Sequence, residues 1–301
     1  MAGGIAGEPL EVVRCKAVDL AVPAHAETII EGEVDPDLVE PEAPFGESYG
    51  FVGPMDMNPF FNIKCITHRR NPIWLATISQ YPPSESTKMR QLGNQGTVYR
   101  HLRYTLGLKH VLDVAFYEEA SSGRMVGIKV DGSQGADIMH TLEETARRSP
   151  FSKIIVAVDK DVNVHDIASV VLAMGMRTQP YRDYRIQKFP TPILSDYSLE
   201  PLDKLTERSL DDPDRPLLSR ILIDTTMKWP WPPISLPKRE FMDDAMRIWQ
   251  EEGLPKLKLA EPWSGTNLGF WNDEHERHAR AAIAGDYYQA GSDYERSRRA
   301  V

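Results

Sequence analysis

The sequence predicts an α/β (α+β) protein in which a β-rich first part leads through a helix into a layered α/β module and a helical tail. Three observations support this fold class. Apolar runs bounded by proline or glycine fill the first third, helical spacing begins near residue 84, and strands alternate with helices between residues 111 and 174. The 301 residues suffice for one large or two modest domains.

The first part is expected to form an antiparallel sheet or a split barrel. Residues Phe60–Ile66 and Ile73–Ile78 are predicted to pair, because the turn-forming segment Arg70–Pro72 joins them. Two earlier strands are predicted at Leu10–Cys15 and Glu27–Gly32.

A helix is predicted over residues 84–106, with Ser84 as its N-cap and Glu85 in its first turn. Apolar residues recur at helical spacing along this segment, and Gly107 provides a natural C-terminal stop.

The next stretch reads as strand, strand, helix, strand, helix, with a layering similar to that of ferredoxin-like folds. The strands are Val111–Tyr117, Arg124–Val130 and Ser152–Asp159, and the helices are Ala136–Arg147 and His165–Met174. Two helices are expected in the tail, at Lys238–Glu252 and Asp273–Ala284.

Composition excludes several classes of protein. The 44 acidic against 35 basic residues give a net charge of −9, which disfavours nucleic-acid binding because phosphate contacts need a basic face. The longest aliphatic run, Ile154–Val158, is far too short to span a membrane, and Met1–Gly7 lacks the features of a signal peptide. Cys15 and Cys65 lack metal or redox spacing and are expected to be buried free thiols. We therefore expect a soluble, cytoplasmic protein.

The segment Glu40–Gly50 carries the strongest chemical signal. Glu42 and Glu47 bracket Ala-Pro-Phe-Gly. The proline and the glycine restrict the backbone to a turn, and the phenylalanine is expected to be buried. Two carboxylates around an apolar turn can differ in pKa, as general acid–base chemistry requires. The alternative is a solvated acidic loop, since eight carboxylates fall between Glu27 and Glu47.

At these residues the sequence resembles the UbiD-like decarboxylases, which are reversible (de)carboxylases that use prenylated FMN. The specific segment is Pro41–Gly50, preceded by Ile30–Pro36. Supporting segments follow in family order: Gly7–Cys15, Val22–His25, Ile66–Arg70, Val158–Val162 and Ile223–Trp229. Ala43 stands where the family usually has glycine, which leaves both carboxylates in place.

The resemblance implies a role for each site residue. Glu47 would deliver the proton to the carbon that loses CO2, and Glu42 would join a hydrogen-bond network around the substrate carboxylate. Ser48 and Phe45 would line the substrate pocket, as would residues 81–87, and Lys153 would contact the cofactor phosphate. Aromatic or α,β-unsaturated carboxylic acids would be the substrates.

The resemblance also implies a partner. Family members carry the flavin site, a catalytic arginine and the ligands of a divalent metal (Mn²⁺ or Mg²⁺) ahead of the region matched here, and K⁺ is expected with them. We therefore expect a second polypeptide to supply that half in a hetero-oligomer. The competing hypothesis is a non-catalytic scaffold or assembly subunit.

The resulting domain assignment has four parts. Residues 1–83 are expected to be the catalytic-acid part of a split-barrel flavin domain, and residues 84–106 a linker helix. Residues 107–235 would form an α/β oligomerisation domain, and residues 236–301 a helical tail. Aromatic tail residues would leave apolar area exposed without a partner: Trp263, Phe270, Trp271, Tyr287 and Tyr288.

Two other groups of residues are candidate metal ligands. His275 and His278 share one helix face, but a third ligand is not marked, so a solvated charged helix is the simpler interpretation. Asp159 and Asp161 follow a strand, where aspartate more often caps a turn.

Overall fold

The computed structural model describes residues 2–53, 55–132, 136–189, 196–199, 218–229, 231, 239–256 and 273–299. The chain divides into two compact units, Met1–Thr87 and Lys88–Val301. The four-part domain assignment remains a prediction.

Antiparallel pairs of strands build the first unit. After a short helix α1 (Ala2–Ala6), strand β1 (Val12–Arg14) pairs with β2 (Ala21–Pro23). Strands β3 (Thr28–Glu42) and β4 (Asp56–His68) form a longer antiparallel ribbon, the β3–β4 ribbon. Its register is irregular between Glu31 and Gly32 and between Val34 and Val39.

Strand β3 ends ten residues beyond the predicted end at Gly32. Pro36 lies within the second irregularity, where the ladder between β3 and β4 is interrupted. The backbone N–H that proline lacks is therefore not needed for a hydrogen bond of the ladder. The predicted pairing of Phe60–Ile66 with Ile73–Ile78 is wrong, since the first of these segments pairs with β3 and the second is not a strand. The N–H of Ile73 instead donates to the side chain of Glu27 (3.1 Å).

The β3–β4 ribbon leaves much apolar area exposed within its unit. Its exposed apolar side chains are Ile30, Val34, Leu38, Val39, Met57, Phe61, Ile63 and Ile66. Glu31 is the buried exception, and its carboxylate accepts the backbone N–H groups of Lys16 (2.9 Å) and Ala17 (2.5 Å), which lower its pKa. An isolated two-stranded ribbon is marginally stable in water, so these faces require cover.

Helix α2 (Glu85–Arg100) begins as the sequence predicts. The N–H of Thr87 donates to Ser84 Oγ (3.2 Å), and the N–H of Ser84 donates to Thr87 Oγ1 (2.9 Å). A π-helical turn (His101–Thr105) continues it, and Gly107 follows with φ of +70°.

A mixed five-stranded sheet forms the centre of the second unit. The strands are β5 (Val111–Phe116), β6 (Met125–Val130), β7 (Ile154–Asp159), β8 (Tyr184–Phe189) and β9 (Leu218–Asp224). Their spatial order is β5-β6-β7-β9-β8, with β6, β7 and β9 parallel and the two edge strands antiparallel. The helices are α3 (Ile138–Arg148), α4 (Ile167–Arg177) and the short α5 (Pro180–Asp183).

Apolar clusters lie on both faces of this sheet. One contains Leu142 of α3 with Ile155 and Ala157 of β7. The other contains Val170 of α4 with the alternating β7 residues Val156 and Val158. The two helices therefore cover opposite faces, and the predicted ferredoxin-like arrangement, which places helices on one face, is wrong.

The tail contains helices α6 (Arg239–Glu251), α7 (Asp273–Ile283) and α8 (Tyr287–Arg299). The sequence predicted the first two and missed α8, which contains Gly291. Among the tail aromatics, Tyr287 and Tyr288 are exposed and stack with ring centroids 4.6 Å apart. Trp263, Phe270 and Trp271 lie outside the described residues.

Two expectations from composition can be compared with the structure. Within the described ranges, helices long and apolar enough to cross a bilayer are absent. Cys15 and Cys65 are free thiols, as predicted, but each is partly exposed rather than buried.

We expect Gly127→Ala to lower the free energy of unfolding by about 1–3 kcal/mol, because a side chain there overpacks the core. A Cβ on Gly127 would lie 2.2 Å from Tyr117 Oη and 2.9 Å from Val164 Cγ2. The Tyr117 hydroxyl donates to the carbonyl of Val164 (2.7 Å), so it is not free to move aside. Urea denaturation measures the effect.

Gly175→Ala provides the matched control. A Cβ on Gly175, within α4, meets nothing within 4 Å, so this change should stabilise by up to about 1 kcal/mol through helix propensity. Equal effects of the two substitutions would contradict the packing argument.

Candidate functional site

Glu42 is the last residue of β3, at the end of the ribbon where residues 43–55 connect β3 to β4. Its Oε2 accepts a hydrogen bond from Asn58 Nδ2 at 2.6 Å. In the strand register Glu42 faces Asp56, and Asn58 faces Glu40, so the hydrogen bond runs diagonally across the two strands. An exposed carboxylate is thereby held by a neutral donor.

Glu47 lies in a hydrogen-bonded turn. Its N–H donates to the carbonyl of Phe51 (2.9 Å), and its own carbonyl accepts the N–H of Gly50 (2.9 Å). The N–H of Gly53 donates to the carbonyl of Phe45 (2.9 Å), which closes the loop around an isolated bridge between Gly46 and Val52. The backbone of the loop is thus specified by its own contacts.

Two glycines let this turn approach residues 79–82. A Cβ on Gly46 would lie 2.8 Å from the carbonyl oxygen of Ser79. Gly50 has φ of +99°, and a Cβ there would lie 3.0 Å from the ring of Tyr81 and 3.1 Å from Pro82. The segment expected to line the pocket therefore begins next to the Glu47 turn.

The two predicted pocket residues differ in environment. Ser48 is 6% exposed, and its hydroxyl has no hydrogen-bond partner among the described residues. A buried polar group without a partner is costly, so such a group commonly faces a ligand or water. Phe45 is 49% exposed, against the expectation that it is buried.

Lys153 immediately precedes β7 in the second unit. Its ammonium donates to Asp196 Oδ1 and to Ser198 Oγ, each at 2.6 Å. Asp196 is buried, which by itself would raise its pKa, but the hydrogen bonds from Lys153 and Ser198 leave the pKa below its usual value. Two of the three Lys153 donors are therefore occupied, and the third has no partner among the residues that the structure describes.

Three of the candidate metal ligands, Asp159, Asp161 and His278, have other partners, and the side chain of His275 lies outside the described part of the structure. Arg177 forms a bidentate pair with Asp161 and lies 3.7 Å from Asp159. His278 is buried with its Nε2 3.3 Å from Asp293 Oδ2, which corrects the interpretation of a solvated helix face. In the part of the chain that the structure describes, no group of three or more His, Cys, Asp or Glu residues is placed to hold a metal ion.

Sequence patterns could not identify Asn58 or Asp196 as partners of site residues. Asn58 is recognisable only once β3 and β4 are in register, and Asp196 lies 43 positions after its lysine. Chemically, the first unit offers an oriented carboxylate, a second carboxylate on a hydrogen-bonded turn, and a buried hydroxyl, without a partner among the described residues, directly after the second carboxylate in sequence. These groups suit proton transfer to a small polar substrate.

Two family models match the chain. The 3-octaprenyl-4-hydroxybenzoate carboxy-lyase Rift-related domain matches residues 1–82. The 3-octaprenyl-4-hydroxybenzoate carboxy-lyase C-terminal domain matches residues 88–223. An uncharacterized protein of Archaeoglobus fulgidus is 33% identical over 262 residues, which are 83% of this chain and 50% of the relative. The chain thus spans about half the length of the curated relatives that it matches.

Solved structures give a similar result. An evolved dimeric form of the UbiD-class enzyme HmfF from Pelotomaculum thermopropionicum, in complex with prenylated FMN, superposes with a TM-score of 0.61 at 26% identity. That match covers 79% of this chain and 49% of HmfF. The vanillic acid decarboxylase of Sedimentibacter hydroxybenzoicus in closed form has a TM-score of 0.62 at 23% identity, over 83% of this chain and 52% of that one, and shows the fold alone.

Proposed function

Because the chain belongs to the UbiD family, we propose that it supplies the two active-site glutamates of a reversible prenylated-FMN-dependent (de)carboxylase. The proposed substrates are aromatic or α,β-unsaturated carboxylic acids. Glu47 and Glu42 are the proposed catalytic pair, and Ser48 and Phe45 the proposed pocket residues.

The hydrogen-bonded turn around Glu47 is the observation that most favours this function over a solvated acidic loop. A solvated loop has no need for the three backbone hydrogen bonds of this turn or for glycines at its closest approaches. It also has no need for a buried hydroxyl directly after the carboxylate. These features support a surface built to meet a ligand.

In the proposed reaction the substrate carboxylate leaves as CO2, and a proton takes its place on the same carbon. Glu47 in its protonated form delivers that proton and becomes a carboxylate, which then regains a proton from solvent. Glu42, held by Asn58, serves as an ionic acceptor in the hydrogen-bond network around the substrate carboxyl group. In the carboxylation direction Glu47 removes the proton.

Prenylated FMN, when bound, supplies the acceptor for the electrons left behind by CO2. The residues described here fit that cofactor in part. Counting contacts with the described residues, Lys153 keeps one ammonium donor for a phosphate oxygen, although Asp196 already neutralises its charge. The flavin platform, the metal ligands for Mn²⁺ or Mg²⁺ and the K⁺ site are proposed to lie outside these 301 residues.

We place that flavin-binding half on a partner polypeptide in a hetero-oligomer. The exposed apolar faces of the β3–β4 ribbon support this, because they need cover that the described part of the first unit does not supply. Further exposed apolar side chains follow the ribbon at Ile73, Trp74, Leu75 and Ile78. A split barrel completed from outside the chain would bury both sets.

Native mass spectrometry of the protein purified from its own host tests the assembly, and CO2 release from aromatic and unsaturated acids tests the activity. We expect a second chain, a flavin-sized mass and acid-dependent CO2 release. A longer single polypeptide with bound flavin would contradict the partner chain but preserve the enzyme. An intact oligomer without flavin or CO2 release would instead indicate a scaffold subunit.

A further inference from the structure

Residues 45–53 form a small antiparallel hairpin, the Glu47 hairpin. The N–H of Glu47 donates to the carbonyl of Phe51, and the N–H of Gly53 donates to the carbonyl of Phe45, each at 2.9 Å. One isolated bridge lies between these two hydrogen bonds. Because side chains on an antiparallel pair alternate between its two faces, positions 45, 47, 51 and 53 share one face. Glu47 therefore has Gly53 as a neighbour on its own face of the hairpin.

Gly53 is buried, and the Glu47 side chain lies directly against it. A Cβ atom on Gly53 would lie 3.5 Å from Glu47 Cγ and 3.7 Å from Glu47 Oε1. The same atom would lie 3.8 Å from the carbonyl oxygen of Phe45. The carboxyl group of Glu47 thus rests beside a stretch of backbone that carries no side chain.

The contacts around Gly53 leave room for one added carbon atom. The φ of Gly53 lies outside the left-handed region, so the backbone does not require glycine there. The three distances are those of ordinary van der Waals contacts, so alanine fits. Valine adds two methyl groups to Cβ, which fill two of its three staggered positions. Because the hairpin hydrogen bond holds the Phe45 carbonyl in place, the flexible Glu47 side chain is the group that must move.

We propose that Gly53 is a positioning residue for the proposed acid Glu47. With glycine at this position the carboxyl group rests close to the hairpin backbone, and a side chain larger than methyl pushes it away. Gly53 is itself buried, so it acts through Glu47 rather than through contact with a substrate. The inference rests on the proposed function, in which Glu47 must come within hydrogen-bond reach of the carbon that loses CO2.

The kinetics of Gly53→Val and Gly53→Ala in the assembled enzyme test this role. We expect Gly53→Val to lower kcat for CO2 release about 10²-fold, the usual cost of a misplacement of about 1 Å, and to leave KM close to the wild-type value. Gly53→Ala should keep a kcat close to that of the wild type. A purely structural role would instead lower the amount of assembled enzyme in native mass spectrometry and leave kcat per assembled complex unchanged.

Crystal structures of the two variants give a measurement that does not depend on activity. The Glu47 carboxyl group should be displaced by about 1 Å in Gly53→Val and should keep its position in Gly53→Ala. An undisplaced carboxyl group in Gly53→Val would overturn the inference, as would a wild-type kcat of that variant.

Gly96→Val is the matched control, because Gly96 is exposed in α2 and a Cβ there meets nothing within 4 Å. It should leave both kcat and KM unchanged. Glu47→Gln in the same assay separates failure of this inference from failure of the proposed function. Full activity of Glu47→Gln would overturn both. Loss of activity in Glu47→Gln together with a fully active Gly53→Val would overturn only the role of Gly53.

Discussion

Replacing Glu47 with glutamine is expected to lower kcat of the assembled enzyme by about 10²–10⁴-fold, the usual contribution of a general acid–base group. Glutamine keeps the shape of the side chain but has no transferable proton. The turn itself should survive, because its hydrogen bonds use the backbone N–H and carbonyl of Glu47 rather than the carboxylate. CO2 release under saturating substrate measures the loss.

Glu40→Gln separates this role from the effect of one fewer negative charge. Glu40 is exposed on the same ribbon, two residues before Glu42 and opposite Asn58. We expect its replacement to leave kcat within twofold, and native mass spectrometry should show the same assembly for both variants. If Glu47→Gln retained full activity in an intact complex, Glu47 would belong to a solvated loop and the proposed mechanism would fail.

The second unit followed closely from its sequence. Strand β7 is continuously apolar because α3 and α4 cover both of its faces. A strand that is buried on both faces is recognisable in the sequence as a short apolar run. Helices α2, α3 and α4 each begin within two residues of the predicted start. Periodicity could not tell which face of the sheet each helix covers, which is why the layering was wrong.

The first unit was harder to predict because its strands lack a buried face within the unit. Strand β3 carries an almost uniformly exposed pattern after Gly32, so neither alternation nor an apolar run marked its second half. The apolar segment Ile73–Ile78 has the composition of a strand without a ladder partner in the described chain. A strand that is exposed on both faces within its unit has no buried side to produce the alternation from which strands are recognised.

The site residues that local sequence determines could be predicted, and those that depend on contacts distant in sequence could not. Glu42 and Glu47 stood out because proline and glycine fix the turn between them, and their specific roles came from the family resemblance. Asn58 could not be found, because the interrupted register of β3 and β4 decides which residue lies diagonal to Glu42. The occupied state of Lys153 depends on Asp196, and one-dimensional spacing carries no information on such a contact.

Arg177→Met is expected to lower the free energy of unfolding by about 3–5 kcal/mol, because it leaves buried carboxylates without their cation. Arg177 ends α4, and its side chain is 9% exposed. It holds Asp161 with both terminal nitrogens and lies near Asp159, whose Oδ2 also accepts the N–H of Met227 (2.6 Å). The pair therefore ties α4 to the end of β7 and to the segment after β9.

The loss of stability caused by Arg177→Met should depend on pH in a definite direction. Burial raises the pKa of Asp159, so in the folded chain this carboxyl takes up a proton at a less acidic pH than in the unfolded chain. Protonation removes the unpaired charge that the substitution exposes. The difference in unfolding free energy between the wild type and Arg177→Met should therefore be largest near neutral pH and should narrow as the pH falls.

Two further variants distinguish a charge effect from lost packing. Arg148→Met removes an exposed arginine at the end of α3 and should change stability by less than about 0.5 kcal/mol. Adding Asp159→Asn and Asp161→Asn to Arg177→Met should recover much of the loss, because an amide oxygen at position 159 can still accept the Met227 N–H while no buried charge remains. If the triple variant were as unstable as Arg177→Met at every pH, the arginine would act through its packed aliphatic stem rather than through its charge.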